Sequence, residues 1–286
     1  MCVIWGVPYL LIRIAVRDIE PATLVFLRTA PAGLALLPLA WRRGQLTALR
    51  STWRWVLAYT VVELAIPWFL LSSAEQQLTS SFTALLVATV PLIGVVLGRA
   101  FRAGSASDVD RRQLAGLGLG LAGVAVVVGI DVRGASLTSV AYVGVVAIGY
   151  AAGPLIISRR LSDLPGLAVV AASLVITAVA YAPWSLTHLP HRLTTEVALS
   201  VTALTAVCTG LAFLVFFALI AEVGPGRATV ITYFNPAVAL VLGIGVLGEP
   251  FTIGLGLGFP LVVVGSIIGT APTRVPMPQS PPMEPT

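Results

Sequence analysis

Two charged side chains stand inside otherwise apolar stretches of this chain: Arg28, between Pro21 and Trp41, and Glu63, between Trp55 and Ala74. An ionisable group at membrane depth costs at least about 2.5 to 3.5 kcal/mol on insertion scales unless water or a partner compensates it. Read as helix, Arg28 lies about 10 Å below one boundary of its stretch and Glu63 about 13 Å above the opposite one, so their depths differ by only about 7 Å. One reading is a fixed ion pair between neighbouring helices. The other is a working pair, in which Glu63 exchanges a proton with a solute while Arg28 holds an anionic group or tunes Glu63. Both stay open at this level. A second tier consists of Trp5, Tyr9, Trp68, Tyr150, Tyr233 and Asn235. Their large rings suit apolar contact and the amide suits orientation of a solute in a cavity. Pro91 and Pro236 each break a backbone hydrogen bond inside an apolar stretch and are candidate hinges.

Other chemistries lack their residues. His188-Leu189-Pro190-His191 has neither the i, i+4 spacing nor the acidic partner of a zinc hydrolase, so no metal site is expected. There is no Gly-x-Ser-x-Gly elbow and no phosphate-binding lysine loop, because the chain contains no lysine. No enzyme activity and no cofactor are expected. Cys2 and Cys208 read as small apolar residues rather than a bridge.

The elements that must position these residues follow from the distribution of charge. Over 286 residues, 57% are hydrophobic and 10% charged, too little polar surface to wrap a soluble globule of this length. The charges divide the chain into apolar windows at 1–12, 21–41, 55–74, 76–98, 113–130, 134–158, 164–187, 197–221, 228–248 and 250–273. A helix needs about 20 such residues to cross a bilayer, so about ten spans are predicted. The first window covers only about 18 Å as helix, and the native protein is therefore expected to begin before Met1. The formal charge of +5 reflects membrane topology rather than nucleic-acid binding. With both termini cytoplasmic, twelve arginines fall inside and four (Arg13, Arg17, Arg133 and Arg192) outside, Arg28 being intramembrane. Trp41, Trp53, Trp55 and Trp184 lie near span ends, where interfacial aromatics belong. The proline-rich stretch 272–286 reads as a disordered cytoplasmic tail.

Landmarks in the first half recur in order in the second. Pro8 with Arg13 matches Pro154 with Arg159, Pro21 and Pro38 match Pro165 and Pro183, and Pro91 with Gly98 matches Pro236 with Gly243. Gly-Leu-Gly-Leu-Gly occurs at 116–120 and again at 254–258, where close helix packing is the expected role. Two five-span repeats result, 1–130 and 131–271. An odd number of crossings per unit makes the second copy enter from the opposite side, so the repeats are inverted. Such halves meet around an axis in the membrane plane, which is the geometry of a transporter.

The order of these features resembles the EamA-like branch of the drug/metabolite transporter superfamily, over essentially the whole chain. Trp5-Gly6 looks like its opening motif, Arg28 like its second-span arginine, and Leu78-Thr79-Ser80-Ser81 through Ala84-Leu85-Leu86 to Pro91 like its fourth span. Gly224-Pro225-Gly226-Arg227-Ala228 through Asn235-Pro236 to Gly243 and Leu247-Gly248-Glu249 resembles its ninth span and closing Gly-Glu. The first half departs from that pattern, since thirteen residues after Pro91 stands Gly104 and thirteen after Pro236 stands Glu249. Glu249 therefore has no repeat partner and is expected to serve at a helix end or in packing. The resemblance implies an all-α membrane protein of ten helices and a secondary transporter exporting small metabolites, amino acids or drug-like solutes by alternating access. The proton is the candidate coupling ion. A channel or a lipid-linked flippase on the same scaffold is the alternative. The expected partners are a small-molecule solute and membrane lipid but not nucleic acid, as monomer or homodimer. The expected location is the cell membrane, multi-pass, with both termini cytoplasmic.

Overall fold

A computed structural model of the protein describes residues 1–100, 111–131, 136–190, 192–223 and 234–270. Tyr233, Arg227 and the rest of the Gly224–Ala228 run, Gly104, Arg102, Arg133, His191, Arg274 and the 272–286 tail lie outside the described residues. Those described form helices joined by short turns and contain no strand. We label the helices α1 (Cys2–Ala15), α2 (Pro21–Arg42), α3 (Trp53–Ala74), α4 (Ser80–Ala100), α5 (Arg111–Gly129), α6 (Leu137–Leu161), α7 (Gly166–Ser185), α8 (Thr195–Leu219), α9 (Asn235–Leu247) and α10 (Ile253–Thr270). Eight of them are long and apolar enough to cross a membrane; α1 and α9 are apolar but shorter. With 14 residues, α1 covers about 21 Å.

Local chemistry explains where these helices start, stop and deform. Pro21 opens α2, where its missing N–H costs nothing. Thr79 caps α4 by accepting from the Phe82 N–H at 3.2 Å, and Thr194 caps α8 in the same way through Val197. In α3 the chain widens into a π turn at Thr60–Ala65. Pro67 sits four residues after Glu63, so its ring pushes on the Glu63 carbonyl and cannot donate to it. The Tyr181 hydroxyl from α7 reaches the neighbouring Ala65 carbonyl at 3.0 Å. A second π turn, Ala206–Leu211, interrupts α8, and there Thr209 donates to the Leu204 carbonyl at 2.8 Å.

The predicted break at Pro91 is present: α4 is interrupted between Val87 and Val90. Ser266 of α10 donates to the Ala88 carbonyl at this break, 3.1 Å away, so the loosened backbone faces protein. Pro236 occupies the first turn of α9 rather than its middle, and the residues that precede Phe234 are not among those described.

The most extensive helix pairs are α5 with α10 and α2 with α7; α3 packs on α6, α1 on α8 and α9, and α4 on α6 and α9. Between α5 and α10 the backbones touch. A Cβ added at Gly116 would overlap Gly269, one at Gly265 would meet Gly120, and Gly123 and Gly258 face each other's carbonyls. The expected packing role of the two Gly-Leu-Gly-Leu-Gly motifs thus holds for Gly116, Gly120 and Gly258. Gly118 has open space around it, because every second residue leaves a helix face and only the i, i+4 members stay on it. Gly265→Leu is therefore expected to destabilise the protein by about 3 kcal/mol or more through overpacking, whereas Gly118→Leu leaves stability unchanged. Thermal unfolding of the two variants in detergent micelles checks the contrast.

Trp41, Trp53, Trp55 and Trp184 are all exposed at helix ends, as interfacial rings should be. Arg160 lies over the Trp55 ring at 4.5 Å, tying the ends of α6 and α3 together.

Candidate functional site

Arg28 points from α2 into the bundle and is 8% exposed. Its Nε donates to the Thr209 hydroxyl of α8 at 2.8 Å, and its guanidinium lies 3.7 Å from the centre of the Trp68 ring on α3. The π turn of α8 sets the position of Thr209, so backbone deformation in one helix supplies the acceptor for a charge on another. Tyr150 of α6 stands near Trp68 and Arg28. Tyr9, Tyr150, Cys208 and Glu75 lie within electrostatic reach of Arg28. The terminal nitrogens of the guanidinium have no hydrogen-bond partner among the described residues. A desolvated guanidinium on an indole face, with its fork uncommitted, is suited to hold a carboxylate or phosphate oxygen.

Glu63 lies elsewhere. It projects from the π turn of α3 onto Gly153 of α6, where a Cβ would collide with its carboxylate. Its Oε2 is buried without a hydrogen-bond partner among the described residues. The ion pair between Arg28 and Glu63 that their depths allow does not form. Among the described residues the ion pair is Arg17 with Glu196, an exposed contact of 3.7 Å. Equal depth does not place two side chains on facing sides of their helices, and Tyr150 is the residue that lies near both.

The remaining candidates divide between the two halves of this region. Tyr9, Trp68 and Tyr150 gather around Arg28. Trp5 instead packs on Phe216 and Phe213 of α8, with ring centres 4.7 and 6.3 Å away. Asn235 starts α9 and its carbonyl lies against Gly6 of α1. Tyr233 is outside the described residues.

A second polar cluster lies where α1, α3, α4 and α9 meet. Gly248 ends α9 with φ of 64°, and the Glu249 N–H closes back on the Gly243 carbonyl at 3.0 Å. That turn aims the Glu249 side chain at the start of α4. There its carboxylate accepts from the Ser80 N–H (2.6 Å), the Ser81 N–H (3.0 Å) and the Ser81 hydroxyl (2.6 Å). The carboxylate satisfies donors that α4 leaves free and complements the positive end of its dipole. The expected helix-end role of Glu249 thus has a definite target on another helix. Beside it stands Glu75, fully buried, whose backbone carbonyl accepts from Arg13 of α1. Neither carboxylate oxygen of Glu75 has a hydrogen-bond partner among the described residues. Glu75 reads in sequence as a loop charge between two windows. The signal against that reading is the absence of glycine, proline or a basic residue in Glu75-Gln76-Gln77.

Comparison with known proteins agrees with this architecture. The chain is 29% identical over 277 residues to YedA of Escherichia coli K12, an uncharacterized inner membrane transporter, covering 94% of this chain and 87% of that protein. The YedA proteins of the O6:H1 and O157:H7 strains match to the same extent. A protein of known crystal structure superposes with a TM-score of 0.66 over 94% of each chain at 23% identity, a likeness of fold. The model of the EamA-like transporter family matches twice, at residues 1–129 and 137–270, so this multi-pass membrane protein belongs to the EamA-like transporter family.

Proposed function

We propose that this protein is a secondary carrier that exports small metabolites, amino acids or drug-like solutes, and that Arg28 recognises an anionic group on them. The observation that carries the reading is the buried Arg28 guanidinium, held between Trp68 and Thr209 with its terminal nitrogens uncommitted. Ten spans in two inverted five-helix halves, 1–130 and 131–271, provide the moving parts. Supporting this, shifting every helix by five places maps the most extensive packed pairs onto one another, α1 with α8 going to α6 with α3 and α2 with α7 to itself, although α4 with α10 has no such counterpart among the described residues. Two of the three π turns among the described residues obey the same shift, since Thr60–Ala65 and Ala206–Leu211 are 146 residues apart, the offset between Pro8 and Pro154; the third, Ile157–Leu161 at the end of α6, has no counterpart in α1. Glu63 and Thr209 occupy equivalent places, and each serves the opposite half. Rocking of such halves about Pro91 and Pro236 would expose a shared site to either side in turn. Both termini are cytoplasmic in this reading, in keeping with the arginine bias.

The test compares intracellular and extracellular metabolites with and without overexpression. A solute that accumulates outside identifies the substrate class, and no change in any solute overturns the exporter reading. Saturable counterflow of that solute in vesicles supports a carrier; flux that never saturates supports the channel alternative. For Glu63, the buried and unpartnered Oε2 supports proton exchange during the cycle. Glu63→Gln is then expected to lower flux driven by an imposed pH gradient at matched protein amounts. Full retention of gradient-driven flux removes that role.

A further inference from the structure

Two carboxylates, Glu75 and Glu249, lie within electrostatic reach of one another at one end of the bundle, and their surroundings are opposite. Glu249 accepts three hydrogen bonds from Ser80 and Ser81, which suits an ionised group. Glu75 is 0% exposed and neither of its carboxylate oxygens is hydrogen-bonded among the described residues. When two neighbouring acids differ in this way, the one deprived of donors is the one that takes the proton. The groups facing Glu75 are Arg13 and Tyr9 from α1, Arg28 from α2, Tyr150 from α6 and Glu249 from the end of α9. Arg13 does not reach the Glu75 carboxylate as a hydrogen-bonded partner, because the bond it makes is to the backbone carbonyl. Burial pushes the Glu75 carboxyl well above the usual carboxylate range, Arg13 works against that shift, and the neighbouring Glu249 adds to it.

We propose that Glu75 is a proton-binding site, separate from Glu63, whose charge state governs how tightly α1, α3, α4 and α9 hold together at this end of the bundle. Ionised, Glu75 attracts Arg13 on α1 and repels Glu249, which is clamped on α4. Protonated, it loses both electrostatic interactions, and Arg13 keeps its bond to the Glu75 backbone carbonyl. The two charge states therefore favour different placements of α1 against the α4–α9 pair, and α1 also carries Trp5 and Tyr9. This rests on the carrier reading for its purpose, because a proton that changes helix placement is what couples a gradient to transport. The binding itself needs no solute.

The test is infrared difference spectroscopy of the purified full-length protein in lipid, titrated with pH, following the C=O stretch of protonated carboxyl groups. Glu75→Gln is expected to remove one component of that band, Glu75→Asp to shift the same component, and Glu63→Gln to leave it in place. Should Glu75→Gln not fold, the Asp variant alone decides: an unshifted band overturns the proposal. A band unchanged in Glu75→Gln, or no titrating carboxyl band in the wild type, overturns it as well. Failure here is distinguishable from failure of the exporter reading, which shows in the metabolite comparison and leaves the infrared band untouched.

Discussion

Arg28→Gln is expected to slow export of the identified solute by about 100-fold at matched protein amounts while leaving the fold intact. The two effects separate because of what Arg28 touches. For the solute, a hydrogen-bonded guanidinium contributes about 1.5–3 kcal/mol per charged interaction, which corresponds to roughly 10- to 150-fold in affinity. For the fold, the lost contacts are a cation–π stack of about 2 kcal/mol and one bond to Thr209, against which stands removal of a desolvated charge. Glutamine retains a donor for Thr209, so the melting temperature should shift by only a few degrees. Arg28→Lys is expected to recover part of the flux, since it keeps the charge but loses the planar fork and the stack on Trp68. Flux assays in vesicles, paired with thermal unfolding, read the two effects independently. Wild-type flux from Arg28→Gln would remove Arg28 from the binding site and leave it as a structural residue between α2, α3 and α8.

Glu249→Ala is expected to cost about 3–5 kcal/mol and to reduce sharply the amount of folded protein recovered from membranes. Truncation strands the Ser80 and Ser81 N–H groups and the Ser81 hydroxyl in a buried place, each unsatisfied group costing about 1–3 kcal/mol. Glu249→Gln keeps one acceptor oxygen but turns an amide N–H2 toward the other serine donor, so it should lose about 1–3 kcal/mol, less than alanine. Gly243→Ala should resemble Glu249→Ala, because its methyl would occupy the space shared by the Glu249 carboxylate and the Ser80 and Ser81 hydroxyls. Size-exclusion profiles and thermal unfolding in detergent check the series. Equal stability of Glu249→Ala and wild type would show that water takes over the stranded donors.

Glu75 and Glu249 together change how this end of the bundle is to be read. Glu249 joins the end of α9 to the start of α4 through static hydrogen bonds, whereas Glu75 has only electrostatic neighbours. A permanent clamp and a titratable group within reach of one another form a device that can tighten or loosen on one side only. The Arg28 cluster occupies the interior between α2, α3, α6 and α8. A carrier needs both kinds of feature: a site for the solute and a means of closing one route to it.

The membrane character, the approximate span boundaries and the break at Pro91 are legible in the sequence, because they rest on hydropathy windows or on proline chemistry that acts within a few residues. The sequence also singled out Arg28, Trp68 and Tyr150, because a charge at membrane depth calls for compensation wherever it is placed. The tertiary structure alone decided their partners. Depth along a helix is legible from residue counting, but the azimuth at which a side chain leaves it is not once π turns shift the register, as at Thr60–Ala65 and Ala206–Leu211. For that reason Arg28 faces Thr209 rather than Glu63, and Glu63 faces Gly153. Glu75 escaped notice for a related reason. A charge at the boundary of an apolar window reads as solvated, and only the tertiary structure, in which Glu75 is fully buried and Arg13 of α1 reaches its backbone carbonyl, takes water away from it.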